Sequence, residues 1–199
     1  MTENARVVLA SGNVGKLAEL QRILASLPMT LVSQSEFQVP EVAETGLTFV
    51  ENALLKARAA CQHTGLPAIA DDSGLEVDYL GGEPGIHSAR YSGEGDAGNN
   101  RRLLTELADV PASQRSARFQ CVLVYLRHTH DPVPVICQGS WEGEILFEPR
   151  GQNGFGYDPL FYIPALNCSS AELDSDRKNE LSHRAIASAK LLEALRGGP

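Results

Sequence analysis

Two adjacent acids, Asp71 and Asp72, follow the short apolar run 67–70 and precede Ser73 and Gly74. Small apolar residues that lead into such a polar pair predict a buried strand that stops at a turn. Adjacent side chains at a strand end point to opposite sides, so we expect the two carboxylates to have different roles. Carboxylates are typical ligands of Mg²⁺, whose sites usually include substrate phosphates as well. A plain turn is the alternative, because aspartate is a favoured turn residue.

A second candidate is the segment 11–16, Ser-Gly-Asn-Val-Gly-Lys, which follows the apolar strand predicted at 6–10. Leucines recur at helical spacing after it and predict a helix that runs to about Pro28. Free N–H groups at such a helix start bind anions. The segment is not a Walker A loop, because its glycines are too close together and Leu17 follows Lys16. A plain turn with a surface lysine is the alternative.

The segment around residue 48 carries both a helix signal and an unassigned acid. Thr48 and Glu51 fit a capping box, and Gly65 is expected to end the helix. Glu51 therefore has a structural role available, and Lys56 on the same helix is expected to be solvated. Glu44 lies just before the helix start, and the pattern assigns it no capping role.

The glycine-dense segment 151–159 contains two aromatic residues, Phe155 and Tyr157. An aromatic side chain between glycines can stack on a flat ligand, which is worth about 1–3 kcal/mol for a base. The alternative is a hairpin loop whose aromatic side chains fill the core.

The last predicted helix has Ser182 as its N-cap, which places His183 and Arg184 in its first turn. Cations there oppose the helix dipole, as Lys16 does at the earlier helix start. Ligand binding at both helix N-termini explains the two misplaced charges with one hypothesis.

Composition limits the possible partners. The chain has 199 residues, 43% of them hydrophobic, which fits one large domain or two intimate lobes. Its net charge of -8 disfavours nonspecific binding to nucleic acid or anionic membranes. No apolar run is long enough to span a bilayer, and the first six residues lack a signal-peptide pattern. Four widely separated cysteines indicate a reduced, cytoplasmic protein with buried thiols and do not favour a zinc site.

The order of elements predicts an α/β protein with a mixed sheet. A helix is expected at 99–108, after a glycine-rich loop at 87–93. The strands expected after the acids are a half-buried strand at 75–79, an antiparallel pair at 117–127 and 133–141, and a third, shorter strand at Ile145 and Phe147.

Taken together, these stretches resemble the inosine/xanthosine triphosphate pyrophosphatase family of nucleotide hydrolases. Each motif alone is weak, but five in the same order along nearly the whole chain are strongly specific. The matching motifs are Ser11-Gly12-Asn13-Val14-Gly15-Lys16, Glu44-Thr45-Gly46, Ala70-Asp71-Asp72-Ser73-Gly74, Gly154-Phe155-Gly156-Tyr157-Asp158 and Ser182-His183-Arg184.

The resemblance implies one domain over residues 1–199, with an elongated α/β fold of two lobes around a mixed, twisted central sheet. Helices cover the faces of that sheet, and the active site lies in a deep central cleft. It also implies a cytoplasmic homodimer that binds neither nucleic acid nor membranes. The implied reaction is Mg²⁺-dependent hydrolysis of ITP, dITP and XTP to monophosphate and pyrophosphate, before these nucleotides enter DNA or RNA.

The resemblance also implies which residues act. Glu44 and Asp72 bind the metal, and Asp72 is also the proton acceptor. The substrate is bound by Ser11, Gly12, Asn13, Val14, Gly15 and Lys16 at the triphosphate, by Ser73, and by Phe155, Gly156, Tyr157, Asp158, Lys178, His183 and Arg184 at the base and sugar. Some family members carry a second acid where this chain has Ala43.

Two other classes of function compete with this one. A nucleotide-binding regulator without turnover needs the loops but not the paired acids Asp71 and Asp72. A kinase is disfavoured by the failed Walker A pattern, and an aspartyl-phosphate phosphomonoesterase by the lack of an evident covalent nucleophile motif. Identifying the products formed from ITP and Mg²⁺ separates the three.

Overall fold

A computed structural model of this protein describes residues 5–197 and leaves residues 1–4 and 198–199 outside that range. The expectation about a signal peptide rests largely on residues that lie outside it. Within the described range, no helix is long and apolar enough to cross a membrane.

Seven strands form one mixed sheet. They are β1 Ala5–Leu9, β2 Met29–Ser33, β3 Ala68–Val77, β4 Ser116–Leu126, β5 Val135–Ile145, β6 Phe161–Ile163 and β7 Cys168–Ser169. Their order across the sheet is β2-β1-β3-β4-β5-β6-β7. Strand β1 pairs in parallel with β2 and β3, whereas β6 pairs antiparallel with β5 and β7. The mixed α/β fold predicted from the sequence is confirmed.

Local capping signals define several helix ends. The α-helices of the described range are α1 Val14–Ile23, α2 Phe49–Thr64, α3 Gly95–Glu106, α4 Ser175–Leu181 and α5 His183–Arg196. Thr48 caps α2 by accepting from Glu51 N, and Gly65 ends it in the left-handed conformation at φ 68°. Ser182 accepts from Ala185 N at 3.2 Å at the start of α5. Thr48 and Ser182 are thus confirmed as N-caps and Gly65 as the end of α2, and the Glu51 carboxylate accepts from Leu47 N at 2.8 Å.

The prediction that the strand stops at Asp72 is wrong. Strand β3 continues through both acids and Gly74 to Val77, so the two strands predicted on either side of the acids are one. Leu75 and Val77 are fully buried in its second half. A strand can carry two buried carboxylates because each is paired with a lysine, as described below.

Other boundaries differ from the predictions where the chain lacks a strong local signal. Helix α1 ends at Ile23, before the predicted Pro28, and α3 begins at Gly95 rather than near residue 99. The third strand predicted at Ile145 and Phe147 is wrong, because Ile145 ends β5 and the next strand is β6. Helix α4 was not predicted, since it buries none of its residues and has no apolar periodicity.

The chain divides into two compact units, each with its own core. Of the described residues, unit 1 contains those up to Asp72, Cys121–Gln138 and those from Ile186 onward. Successive residues of β3 pack into two different hydrophobic clusters in this unit. Ile69 packs with Leu20 and Leu191, whereas Ala68 and Ala70 pack with the alanines of α2. Both faces of β3 are thus covered in this unit.

Unit 2 contains Ser73–Gln120 and Gly139–Ala185. Its core packs Leu75 of β3 against aromatic side chains that include Trp141, Tyr157 and Phe161. The two-lobed arrangement with a deep cleft stays a prediction.

Asp131 supports the connection between β4 and β5, and its removal should destabilise the protein in a pH-dependent way. Its buried carboxylate accepts from Arg127 Nε at 2.9 Å, Arg127 N at 3.0 Å and Val133 N at 3.0 Å. These bonds, led by the Arg127 side chain, lower the pKa of Asp131. A carboxyl with a lowered folded-state pKa stabilises the fold above its unfolded pKa of about 3.9, and this is lost as pH falls through the folded value.

We therefore expect Asp131→Asn to lower the free energy of unfolding by about 1–3 kcal/mol at pH 7. The difference from wild type should shrink below about pH 4. Urea unfolding at pH 7 and at pH 3 measures both values, with the exposed Asp109→Asn as the matched control. An equal loss at the two pH values would contradict the assignment.

Candidate active site

Asp72 is joined to Glu44 through one lysine. Lys56 Nζ donates to Asp72 Oδ1 at 2.7 Å and to Glu44 Oε1 at 3.0 Å. Asp72 is 9% exposed, and its second oxygen, Oδ2, is buried without a hydrogen-bond partner among residues 5–197. The prediction that Lys56 is solvated is wrong, because its ammonium bridges the two acids predicted to bind metal.

Burial and like charges shift the titration of this cluster. Burial is the largest cause of the raised pKa of Asp72; the ammonium of Lys56 opposes it, and the carboxylates of Glu44 and Asp71 add to it. Burial alone would lower the pKa of Lys56, but the carboxylates of Asp72, Asp71 and Glu44 raise it overall. Lys56 thus stays protonated at neutral pH, and Asp72 is a stronger base than an exposed aspartate.

The sequence did contain a signal for Lys56. The helical positions Ala53, Ala57 and Ala60 are fully buried, and residue 56 lies on the same face of α2 as these alanines and the buried Asn52. A lysine on a buried helix face needs a charged partner. Which acid supplies that partner is a long-range contact that helical periodicity does not predict.

Asp71 contacts a different lysine on a different helix. Lys16 Nζ donates to Asp71 Oδ1 at 2.6 Å, and Asn13 caps α1 by accepting from Lys16 N at 3.1 Å. The expected position of Lys16 in the first turn of α1 is confirmed. The buried carboxylate of Asp71 balances the charge of Lys16. A bound phosphate is therefore not needed to explain why a cation lies near the positive end of the helix dipole. The two acids thus have separate partners, as the sequence predicted.

The start of α1 is open to a ligand. Val14 is 78% exposed, and a Cβ added at Gly12 would meet nothing within 4 Å. Ser11 Oγ accepts from Asn13 N at 3.2 Å, which shapes the turn that leads into the helix. The segment 11–16 therefore presents a helix N-terminus with one cation beside it.

Replacing Lys16 with alanine should lower the free energy of unfolding by about 1–3 kcal/mol, because the buried carboxylate of Asp71 loses a charged donor. The helix dipole alone predicts no such loss. A Lys16→Met, Asp71→Asn double variant removes both charges and should recover most of the stability. The affinity for tripolyphosphate should fall in both variants, which separates binding from folding. Urea unfolding and titration calorimetry measure the two effects, and wild-type stability in Lys16→Ala would contradict the pairing.

In unit 2, the loop from Phe155 to Asp158 is built around a buried carboxylate. Asp158 Oδ2 accepts from Phe155 N at 2.8 Å and from Lys178 Nζ, and Oδ1 accepts from Ser170 Oγ at 2.9 Å. Lys178 Nζ also lies 4.8 Å from the centre of the Phe155 ring, within cation–π range. Asp158 therefore links the loop to Lys178 of α4.

The two aromatic residues of this loop have different environments. Phe155 is 60% exposed, whereas Tyr157 is 4% exposed and packs in the core of unit 2. The Tyr157 hydroxyl donates to Ser88 O at 2.9 Å. Each alternative considered from the sequence thus applies to one residue: Phe155 is available for stacking, and Tyr157 fills the core.

His183 and Arg184 occupy the first turn of α5, as predicted, and both are buried. Arg184 Nη2 donates to Ser73 Oγ at 3.3 Å. The His183 ring stacks on Phe119 with a centroid distance of 4.9 Å. The structure therefore brings the buried His183 and Arg184 together with the partly buried Ser73 in unit 2.

The acids of unit 1 fit a metal ion only in part. Within residues 5–197, no group of three His, Cys, Asp or Glu side chains is placed to hold a metal. Glu44 and Asp72 provide two carboxylates, and the buried Asp72 Oδ2 has no partner there. Mg²⁺ is usually bound by one or two carboxylates, with water and substrate phosphates completing its shell. The pair thus fits Mg²⁺ that arrives with a phosphorylated substrate.

The seven-stranded mixed sheet with its flanking helices places the chain among the α/β proteins. The chain belongs to the Ham1 family, whose model matches residues 7–194. The family resemblance predicted from the five motifs is confirmed.

Individual relatives match over nearly their whole length. A dITP/XTP pyrophosphatase of Vibrio cholerae serotype O1 is 59% identical over 192 residues, which are 96% of this chain and 96% of that protein. A dITP/XTP pyrophosphatase of Escherichia coli O157:H7 is 57% identical over 195 residues, 97% of this chain and 99% of that protein. The structure of a HAM1 protein from Coxiella burnetii is similar with a TM-score of 0.94 and 49% identity, covering 98% of this chain and all of that one.

Proposed function

We propose that this protein hydrolyses the deaminated purine nucleoside triphosphates ITP, dITP and XTP to the monophosphate and pyrophosphate. The observation that carries the proposal is the 59% identity to a dITP/XTP pyrophosphatase over 96% of both chains. The reaction removes these nucleotides from the pool before they are incorporated into DNA or RNA.

We assign the triphosphate to the start of α1, that is to Ser11, Gly12, Asn13, Val14, Gly15 and Lys16. An exposed helix start offers backbone N–H groups to an anion. Lys16 adds a positive charge that favours the charge developing on the phosphates in the transition state. The nearby Asp71 would hold the lysine in place before the substrate binds.

Mg²⁺ is the cofactor that we propose, with Glu44 and Asp72 as its protein ligands. When bound, it would neutralise phosphate charge and lower the pKa of water. Some family members have a second acid at the position of Ala43, so in this chain Glu44 is the acid that residues 43 and 44 provide. Both carboxylates accept from the same Lys56 ammonium, which supports their binding of one shared cation.

Asp72 is the proposed proton acceptor. Lys56 holds Oδ1, so Oδ2 is the oxygen left to accept a proton as water attacks and the bond between the α and β phosphates breaks. Burial raises the pKa of Asp72 and so favours this transfer, whereas bound Mg²⁺ would lower that pKa and would itself make the attacking water more acidic. Lys56 remains protonated and limits the negative charge of the cluster.

The base and sugar are assigned to residues of unit 2. Phe155 would stack on the purine, and the buried Arg184 with His183 would contact its edge. Ser73 orients Arg184 through its hydroxyl, and Asp158 and Lys178 support the loop. Gly156 and Tyr157 complete the loop.

The test is the identity of the products. Incubation with ITP and Mg²⁺ should release IMP and pyrophosphate in equal amounts, detected by chromatography and a pyrophosphate assay. Release of IDP and orthophosphate would overturn the proposal, and so would binding of ITP without turnover.

We also propose a cytoplasmic homodimer whose partner is a small nucleotide rather than nucleic acid or membrane. The net charge of -8 disfavours nucleic acid and anionic membranes, the four free cysteines fit a reducing compartment, and the dimer rests on the family resemblance. Sedimentation velocity at micromolar concentration should give a mass near twice 21.4 kDa.

A further inference from the structure

Helix α3 bonds to both backbone groups of Gly156, a residue of the loop from Phe155 to Asp158. Asp96 Oδ2 accepts from Gly156 N at 2.7 Å, and Asn100 Nδ2 donates to Gly156 O at 2.9 Å. Residues 96 and 100 are four apart and so lie one above the other on a helix. One rigid element therefore fixes both the N–H and the carbonyl of Gly156.

The residue held in this way adjoins Phe155. Gly154 and Gly156 adopt left-handed conformations, with φ of 76° and 61°, so Phe155 lies between two bends that favour glycine. A Cβ at Gly154 would approach Asp158 Oδ2 to 2.1 Å, which leaves no room for another residue there. The backbone on both sides of Phe155 is thus held, although its ring is 60% exposed.

Helix α3 is itself anchored to the surrounding segment. Asn99 Oδ1 accepts from Ser92 N at 2.7 Å, and Asn99 Nδ2 donates to Ser88 O at 3.2 Å. The Tyr157 hydroxyl donates to the same Ser88 carbonyl at 2.9 Å. The loop and helix α3 therefore both bond to the Ser88 carbonyl, and α3 can hold the loop in one position.

We propose that Asp96 and Asn100 are positioning residues that set the direction of the Phe155 ring for nucleobase binding. The inference rests on the proposed function, in which Phe155 stacks on the purine. A ring that is already oriented loses less freedom on binding, so more of the stacking energy contributes to affinity. Neither side chain needs to touch the nucleotide, so their effect should act through Phe155 alone.

The first test compares a ligand that has a base with one that lacks it. In Asp96→Ala and Asn100→Ala, kcat/KM for ITP should fall about tenfold, mainly through KM, because a base-stacking contact weakens. The inhibition constant of tripolyphosphate should stay within about twofold of wild type, because no base is involved. Asp96→Asn keeps an oxygen acceptor and should remain close to wild type. Arg101 also lies on α3, and Arg101→Ala, which removes its exposed ion pair with the preceding residue Glu94, is the matched control.

The second test is a double-mutant cycle with Phe155→Ala. If Asp96 acts through the ring, adding Asp96→Ala to Phe155→Ala should change kcat/KM for ITP by less than about twofold. Hydrogen exchange provides a readout that does not depend on turnover. The Gly156 amide should exchange faster in Asp96→Ala than in wild type, and no faster in Arg101→Ala.

The outcomes separate this inference from the proposed function. Failure of the wild type to release IMP and pyrophosphate would refute the function itself. A loss of ITP hydrolysis in Phe155→Ala, with wild-type kinetics in Asp96→Ala and Asn100→Ala, would overturn only the positioning role. Equal weakening of ITP binding and tripolyphosphate binding would also overturn the positioning role. Full additivity of the Asp96→Ala and Phe155→Ala effects on kcat/KM would overturn it as well. If Asp96→Ala fails to unfold cooperatively, Asp96→Ser takes its place.

Discussion

Replacing Asp72 with asparagine is expected to lower kcat for ITP hydrolysis by about 10²–10⁴-fold, the range for a general base. An amide cannot accept the proton that we assign to Asp72. It can still accept a hydrogen bond from Lys56 Nζ, which lies 2.7 Å from Asp72 Oδ1. The fold should therefore be retained, although Asp72 lies within β3 rather than at its end.

Steady-state kinetics and a thermal melt measure the two parts of this prediction. Asp71→Asn is the matched control, because the adjacent acid is paired with Lys16 instead. We expect that variant to raise KM more than it lowers kcat. Activity of Asp72→Asn within a few-fold of wild type would exclude a role as proton acceptor.

Arg184→Ala is expected to remove most of the preference for ITP over ATP. Phe155 can stack on any purine, so the choice among bases must come from hydrogen bonds at the base edge. Hypoxanthine and xanthine carry a 6-oxo acceptor, whereas adenine carries a 6-amino donor, and arginine only donates. Arg184 and His183 are buried, so a donor that faces the 6-amino group stays unpaired at about 1–3 kcal/mol each.

Two such donors should reject ATP by about 10²–10⁴-fold. The measurement is kcat/KM for ITP, XTP, GTP and ATP with wild type and variant. ITP activity should fall far more than ATP activity, and GTP activity should fall with ITP because guanine shares the 6-oxo group. Arg177→Ala, on the exposed ion pair of α4 with Glu180, is the control. An equal fall for ITP and ATP would mean that Arg184 binds a group common to both, such as phosphate.

The sequence alone determined the features that depend on neighbours along the chain. The caps at Thr48 and Ser182 and the glycine at residue 65 define helix ends through contacts within four residues. The alternation of side chains along β3 predicted separate roles for its two acids, and they do have separate lysine partners. The five motifs also identified the family, because their order along the chain is itself information.

Only the tertiary structure decided which charges meet. Lys56 lies 16 residues from Asp72, and Lys16 lies 55 residues from Asp71, so no local pattern links them. Strand β3 continues through its two acids because those lysines offset the cost of burying carboxylates. From the sequence alone, two adjacent acids predict a turn, because the pattern does not show that each acid has a lysine partner. Phe155 and Tyr157 are similar in sequence context, but only the packing of unit 2 buries one and exposes the other.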